Sequence, residues 1–278
     1  MMLTDATKII AIAILEGITE WLPVSSTGHI MLFERFFPLS ADFSSDFKQL
    51  FDYIIQLGAI IAVPLFFRKK LFAFCKRDEK CRNTCGIWLK VIVACIPACS
   101  VIFIDSLFEN LTTDIQSYII CATLIFYGIA FIIAERIYKK KSVKITEIDM
   151  LPYSNALKTG LFQSLAVIPG TSRSGVTILG GMIAGESREV ATEFSFYIAM
   201  PAMLGASGYK TLKFILTGGK ITAVQISALL LGCVVAFLVS LAVIKILTEF
   251  VKKHDFTFFG IYRVIIGIIL IILLITKG

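Results

Sequence analysis

The sequence predicts an all-α polytopic membrane protein built as two inverted-topology repeats, each a re-entrant helical hairpin followed by three transmembrane helices. Three observations predict it. The chain is too apolar and too poor in charge for a soluble domain: of 278 residues, 57% are hydrophobic and 17% charged, against roughly 45–50% and 25% in soluble proteins. Mean hydropathy is +0.84, and several apolar stretches approach the ~20 residues that cross ~30 Å of hydrocarbon as a helix. Two polar turns, Pro23-Val-Ser-Ser-Thr-Gly28 and Pro169-Gly-Thr-Ser-Arg-Ser174, can be laid side by side in the two halves.

Apolar runs and their punctuation predict about ten helical pieces. The first runs from about Thr7 to Leu22 and stops at Pro23; a short one follows from Gly28 to Phe37. A span covers Phe51 to Phe67. The stretch Arg68 to Lys90, with eight Lys/Arg against Asp78 and Glu79, reads as a basic loop. A span from Ile87 to Ile104 leads to Asp105–Gln116, which holds Asp105, Glu109 and Asp114 but no cation. The next span, Ser117 to Ala134, ends in a second basic loop with Arg136, Lys139, Lys140, Lys141 and Lys144. In the second half, short pieces at Leu157–Ile168 and Gly175–Ala184 precede long ones near Phe194–Ser207, Ile221–Leu247 and Phe258–Ile275.

Because Lys and Arg are retained on the cytoplasmic side, the two basic loops are expected inside and Asp105–Gln116 outside. Residues 1–50 then begin and end outside, as a re-entrant hairpin turning near Pro23–Gly28; such backbone is tolerated only where protein or a water-filled cavity surrounds it. Each half makes an odd number of crossings, so the second starts on the opposite side from the first. One integral membrane domain, 1–278, is expected, with repeat one at about 1–140 and repeat two at about 150–278. With Asp5 and Lys8 before Ile9–Ile14, and Glu16 and Glu20 after it, the first segment is expected to be retained rather than cleaved as a leader.

The net charge of +7 is accounted for by those loops. Nucleic-acid binding would want aromatic and basic residues interleaved on a soluble surface, so no nucleic-acid partner is expected. Of seven cysteines, Cys95, Cys99, Cys121 and Cys233 lie in apolar segments as small hydrophobes. Cys75, Cys81 and Cys85 have neither paired spacing nor a nearby His, which argues against zinc.

The chemistry is expected at the two turns. Glu16 and Glu20 are spaced i, i+4 and share one face of an otherwise apolar helix. A charge at mid-bilayer costs at least ~2.5–3.5 kcal/mol, and two carboxylates repel, so a divalent metal, His29 or Arg173 should offset them. Ser25, Ser26 and Thr27 follow a proline break and open a new helix, where hydroxyls and free amides cradle phosphate; plain N-capping is the competing reading. His29 lies in the first turn of that helix. The second turn carries Ser172, Arg173, Ser174 and Thr177, and a guanidinium grips phosphate oxygens in a fork while staying charged when desolvated. An ion pair from Arg173 to Glu16 or Glu20 is compatible with that use. The set suits phosphoryl transfer.

At these residues the sequence resembles the bacitracin-resistance type of undecaprenyl-pyrophosphate phosphatase. The family pattern is an E-x-x-x-E segment running into L-P-x-S-S-T-G-H, then a P-G-x-S-R-S-x-x-T box. Both stand here, at Glu16–Glu20 with Leu22–His29 and at Pro169–Thr177. The resemblance implies hydrolysis of undecaprenyl pyrophosphate to the monophosphate carrier and inorganic phosphate, on the outer face of a bacterial inner (plasma) membrane. It also implies carrier recycling for peptidoglycan synthesis, bacitracin resistance, and dependence on Mg²⁺ or Ca²⁺. Ser26 or a water is expected to attack the terminal phosphorus, with His29 or Glu20 taking the proton and His29 itself an alternative nucleophile. Glu16 and Glu20 are expected to hold metal; Arg173, Ser172, Thr27, Ser25, Ser174 and Thr177 are expected to bind phosphate. An oligomer is possible but not specified.

Three other readings compete with this one. A two-histidine lipid phosphatase is disfavoured because the other histidine, His254, sits in the basic Lys252–Asp255 stretch. An intramembrane protease using Ser172 and His29 leaves Glu16, Glu20 and Arg173 unexplained. A lipid or anion transporter, or flippase, shares the inverted-repeat architecture, and no reaction follows from fold alone.

Overall fold

The computed structural model describes residues 3–40, 43–73, 79–100, 108, 111–140 and 143–277. It is nearly all helical. The first half holds α1 (Leu3–Thr19), α2 (Ser26–Phe36), α3 (Ser45–Phe66), the one-turn α4 (Arg68–Leu71), α5 (Glu79–Ser100) and α6 (Thr113–Tyr138). The second holds α7 (Tyr153–Ser164), α8 (Arg173–Ile183), α9 (Arg188–Leu216), α10 (Ala223–Phe250) and α11 (Thr257–Lys277).

Proline sets the two breaks that matter. Pro23 has no N–H to give the Thr19 carbonyl, so α1 stops at Thr19, three residues before the expected Leu22. Pro169 likewise cannot bond Leu165; α7 ends at Ser164 and tightens into a 3₁₀ turn at Leu165–Val167. After each break a serine caps the next helix: Ser25 Oγ accepts from Gly28 N at 3.4 Å, and Ser172 Oγ from Gly175 N at 3.1 Å.

Among the described residues, four segments are long and apolar enough to cross a bilayer: Asp46–Phe66, Thr113–Tyr138, Ala223–Phe250 and Thr257–Thr276. Their outer faces carry exposed Ile61, Phe126, Leu230, Val234, Ile246 and Ile265, while Glu16, Ser174, Thr177, Ser195, Ser240 and Arg263 are buried. A chain with apolar groups outward and charges inward is a multi-pass membrane protein.

With lipid as solvent, helices associate by close backbone approach at small residues. A Cβ at Gly58 of α3 would lie 2.4 Å from the Cys233 carbonyl oxygen of α10. Gly128 and Gly260 face each other's carbonyls across α6 and α11, where either Cβ would sit at 2.7 Å. The packing is reciprocal between halves: α1 lies on α10 and α7 on α5, while α3 meets α9 and α6 meets α11.

The basic stretch Arg68–Lys90 is not one loop. It is mostly helix, α4 and the first half of α5, because Lys, Arg and Glu are strong helix formers whatever their charge. Lys90 is buried on the inner side of α5 and donates to the carbonyls of Ile148 and Asp149 at 3.2 and 2.9 Å. Cys75, Asp78, Asp105, Glu109 and Lys141 lie outside the described residues. Asp114 falls in the first turn of α6. α9 runs well beyond Phe194–Ser207 at both ends, carrying Glu189, Glu193, Lys210 and Lys213 within the helix.

Candidate active site

The first turn is held under strain. Ser25 adopts φ 75°, ψ 102°, and is the one non-glycine residue at positive φ among those described; such a conformation costs of order 1–3 kcal/mol and needs support. His29 supplies it. Its Nδ1 lies 2.7 Å from the Ser25 carbonyl, which can only accept, so in the neutral ring Nδ1 carries the proton. Nε2 then accepts from the Tyr262 hydroxyl of α11 at 2.8 Å, with the two rings stacked at 5.6 Å.

The second turn puts its positive φ on a glycine. Gly170 has φ 79°, and a Cβ there would also sit 2.4 Å from Thr123 Oγ1, so glycine is required twice over. Arg173 is the first residue of α8. Ser174 Oγ bonds the Glu20 and Leu22 carbonyls at 3.0 and 3.2 Å, tying this turn to the first. Thr177 Oγ1, fully buried, shares a 2.6 Å bond with Ser195 Oγ of α9.

Glu20 joins the turns. Its Oε1 takes a 2.8 Å ion pair from Arg173 Nη2, and its Oε2 accepts from Ser26 Oγ at 3.0 Å. Side-chain exposures of 12% for Arg173 and 9% for Glu20 make this a desolvated pair, where one partner without the other would be costly. Arg173 Nη1 also donates to the Ser195 carbonyl at 3.1 Å, its guanidinium stands 5.7 Å from the Trp21 ring, and its buried Nε has no partner. A cavity of about 260 Å³ opens beside the pair. The first half lines it with Thr19, Glu20, Ser25, Ser26, Thr27 and Gln56; the second with Gln163, Thr171, Ser172 and Arg173. Of the residues expected here, Glu16, His29, Ser174 and Thr177 stand behind the wall rather than in it.

Glu16 is 1% exposed, and neither of its carboxylate oxygens makes a hydrogen bond of full geometry, though the Gln56 amide lies against it. Its electrostatic neighbours are Glu20, Asp52 and Gln56. A carboxyl buried this deeply stays ionised only beside a cation. Among the described residues no three His, Cys, Asp or Glu side chains converge as a metal cage. Mg²⁺ sites, however, typically use one or two carboxylates and complete themselves with substrate phosphate oxygens. Glu16 and Glu20, neighbours at the C-terminal end of α1, supply two such carboxylates.

Four contributors were not singled out in the sequence. Asp52 and Gln56 repeat on α3 the i, i+4 polar spacing of Glu16 and Glu20, a legible signal. Arg263, fully buried in apolar α11, donates to the Pro23 carbonyl at 3.1 Å and the Gly170 carbonyl at 3.4 Å, one from each turn. The membrane cost of a lone Arg would have flagged it. Tyr262 carries no such signal, since its role depends on where His29 points.

Helices broken at two proline turns, with an Arg–carboxylate pair, serine hydroxyls and two helix N-termini around one internal cavity, define a membrane-embedded protein built to handle a phosphate-bearing ligand. The chain belongs to the family described as Bacitracin resistance protein BacA, which it matches over residues 9–269. It is 47% identical over 264 residues to the Undecaprenyl-diphosphatase of Lachnoclostridium phytofermentans, covering 94% of each chain. It is 44% identical over 276 residues to that of Streptococcus pneumoniae (strain Hungary19A-6), covering 98% of this chain and 97% of the relative.

Proposed function

We propose that this protein is an undecaprenyl-diphosphate phosphatase, releasing inorganic phosphate and the monophosphate carrier. In that reading it recycles the carrier for peptidoglycan synthesis and confers bacitracin resistance. The observation that carries it is the division of Glu20 between the Ser26 hydroxyl and the Arg173 guanidinium. A hydroxyl is a weak nucleophile until an adjacent base takes its proton, and Glu20 is in contact where His29, committed to Ser25 and Tyr262, is not.

Ser26 Oγ attacks the terminal phosphorus as its proton passes to Glu20. The anhydride P–O bond breaks, and the prenyl monophosphate leaves with the electron pair. Water then hydrolyses the phosphoserine, giving inorganic phosphate and restoring Ser26. Arg173, Ser172, Thr27 and the amides opening α2 and α8 hold the phosphoryl oxygens. Ser25, Ser174, Thr177 and His29 keep the two turns in register. Glu16 and Glu20 would hold Mg²⁺ or Ca²⁺, which when bound neutralises pyrophosphate charge.

The same reading takes 1–278 as one membrane domain of two inverted repeats, about 1–140 and 150–278. The exchange of packing partners between halves supports it, as do α1, α2, α7 and α8, at 17, 11, 12 and 11 residues too short for a relaxed crossing. The hairpins are then re-entrant, and the site faces the outer side of the bacterial inner membrane. Phosphate release by purified protein tests the function. Metal-dependent turnover, abolished in Glu20→Ala and Arg173→Ala, supports it; ligand binding without turnover supports a transporter instead.

A further inference from the structure

The 260 Å³ cavity does not end at its polar wall. A groove of about 510 Å³ between α5, α7 and α9 continues from it, and Ala98, Gln163, Ala166, Ala202 and Ala206 line both. The groove is carved by small side chains: on α9, positions 201, 202, 205 and 206 are Pro, Ala, Gly and Ala, one turn apart along one face. At its far end stand Tyr53 and Lys210, the ammonium 5.5 Å from the tyrosine ring. A polar chamber leading into an apolar channel matches an amphiphile with a charged head and a hydrocarbon tail.

Gln163 marks the junction. It is 4% exposed, lines both spaces, and neither its Oε1 nor its Nε2 has a partner. An unmade hydrogen bond on a buried amide costs about 1–3 kcal/mol, so the position asks for a ligand group. Resting on the phosphatase reading, we propose that the groove holds the isoprene units nearest the diphosphate, and that Gln163 donates from Nε2 to the phosphate that carries the tail. Arg173 and Ser26 then act on the terminal phosphate, one phosphorus further in. The groove has the size of a drug-like ligand site; it takes a few isoprene units, and the remainder of the chain lies in lipid.

Gly205 provides the test. A Cβ built there meets no atom within 4 Å, and the same holds for Gly208, which does not line the groove. Gly205→Leu therefore adds bulk to the channel without a packing clash, and Gly208→Leu is its control on the same helix. In detergent, Gly205→Leu should raise the ratio of KM for undecaprenyl diphosphate to KM for dimethylallyl diphosphate about tenfold, and Gly208→Leu should leave it unchanged. Gln163→Glu, placing an anion beside the phosphate, should weaken both substrates more than Gln163→Leu does. Equal behaviour of the two glycine variants, or the reverse order at Gln163, overturns the proposal.

A prenyl diphosphate bearing a diazirine on its first isoprene unit reads the same assignment without turnover. Label on residues 95–99 and 201–209, competed by unlabelled prenyl diphosphate, supports the groove even if wild-type protein releases no phosphate, in which case the hydrolytic reading alone falls. Label confined to the outer faces of α10 and α11, or label not competed, overturns the groove.

Discussion

The two turns share a plan and differ in where they store strain. Each follows a proline break, each is capped by a serine, and each contains one residue at positive φ: Ser25 at 75° in the first and Gly170 at 79° in the second. Glycine takes that conformation freely; serine does not. The first turn therefore needs a brace, and His29, backed by Tyr262, is that brace. The second turn is relaxed and presents Arg173 at a helix N-terminus. A strained turn carrying Ser26 beside Glu20 suits bond making, and a relaxed turn carrying a fixed cation suits holding an anion.

The largest effect should come from the residue that both turns share. Glu20→Gln removes the proton acceptor for Ser26 and half of the ion pair, and should lower kcat by roughly 10²–10⁴ in a phosphate-release assay. A loss under tenfold would move the base elsewhere. Arg173→Lys keeps the charge but not the fork, and should cost roughly 10²-fold, the scale of one lost oxyanion-type donor. Full activity there would remove the second turn from the chemistry.

Stability separates the turns by sign. Gly170→Ala meets both a positive φ and Thr123 Oγ1, and should destabilise by more than about 1 kcal/mol. Ser25→Gly relieves strain and loses only a few tenths in capping, so it should raise the unfolding midpoint while lowering activity. Two shifts of the same sign would break the comparison. Tyr262→Phe leaves His29 Nε2 without a donor and should cost about tenfold in kcat, less than Glu20→Gln.

The smallest effect lies away from both turns. Between α10 and α11, the Lys139 ammonium at 2.7 Å holds the Asp255 carboxyl below its ordinary value of 3.8. A depressed carboxylate stabilises the fold above that ordinary value, and the gain is lost as pH falls through the lower folded value. With Lys139 61% exposed, the pair is screened, and Asp255→Asn should shift stability at neutral pH by about 0.5 kcal/mol or less.

Much of this was legible in the sequence. Glu16, Glu20, the Ser25–Thr27 run, His29 and Arg173 stand out because charge and hydroxyls are expensive in apolar segments, and the proline breaks locate both turns. The direction of His29 was not legible, because it depends on Tyr262, 233 residues away. The helical nature of the basic stretch after Arg68 was masked by its charge, since a solvated loop and a helix of Lys, Arg and Glu share one composition. Asp52, Gln56 and Arg263 obey the membrane-cost argument already applied to Glu16 and Arg173, and extending it to α3 and α11 finds them. Gln163 is uncharged and looks unremarkable until its lack of any partner is seen.

The unity of the two turns rests on Glu20 and Arg173 acting as a pair, and a double-mutant cycle on kcat/KM with Glu20→Asp and Arg173→Lys tests it most directly. The account predicts strong non-additivity, with the double variant little worse than the worse single one. Losses that multiply would mean two independent sites and would contradict it.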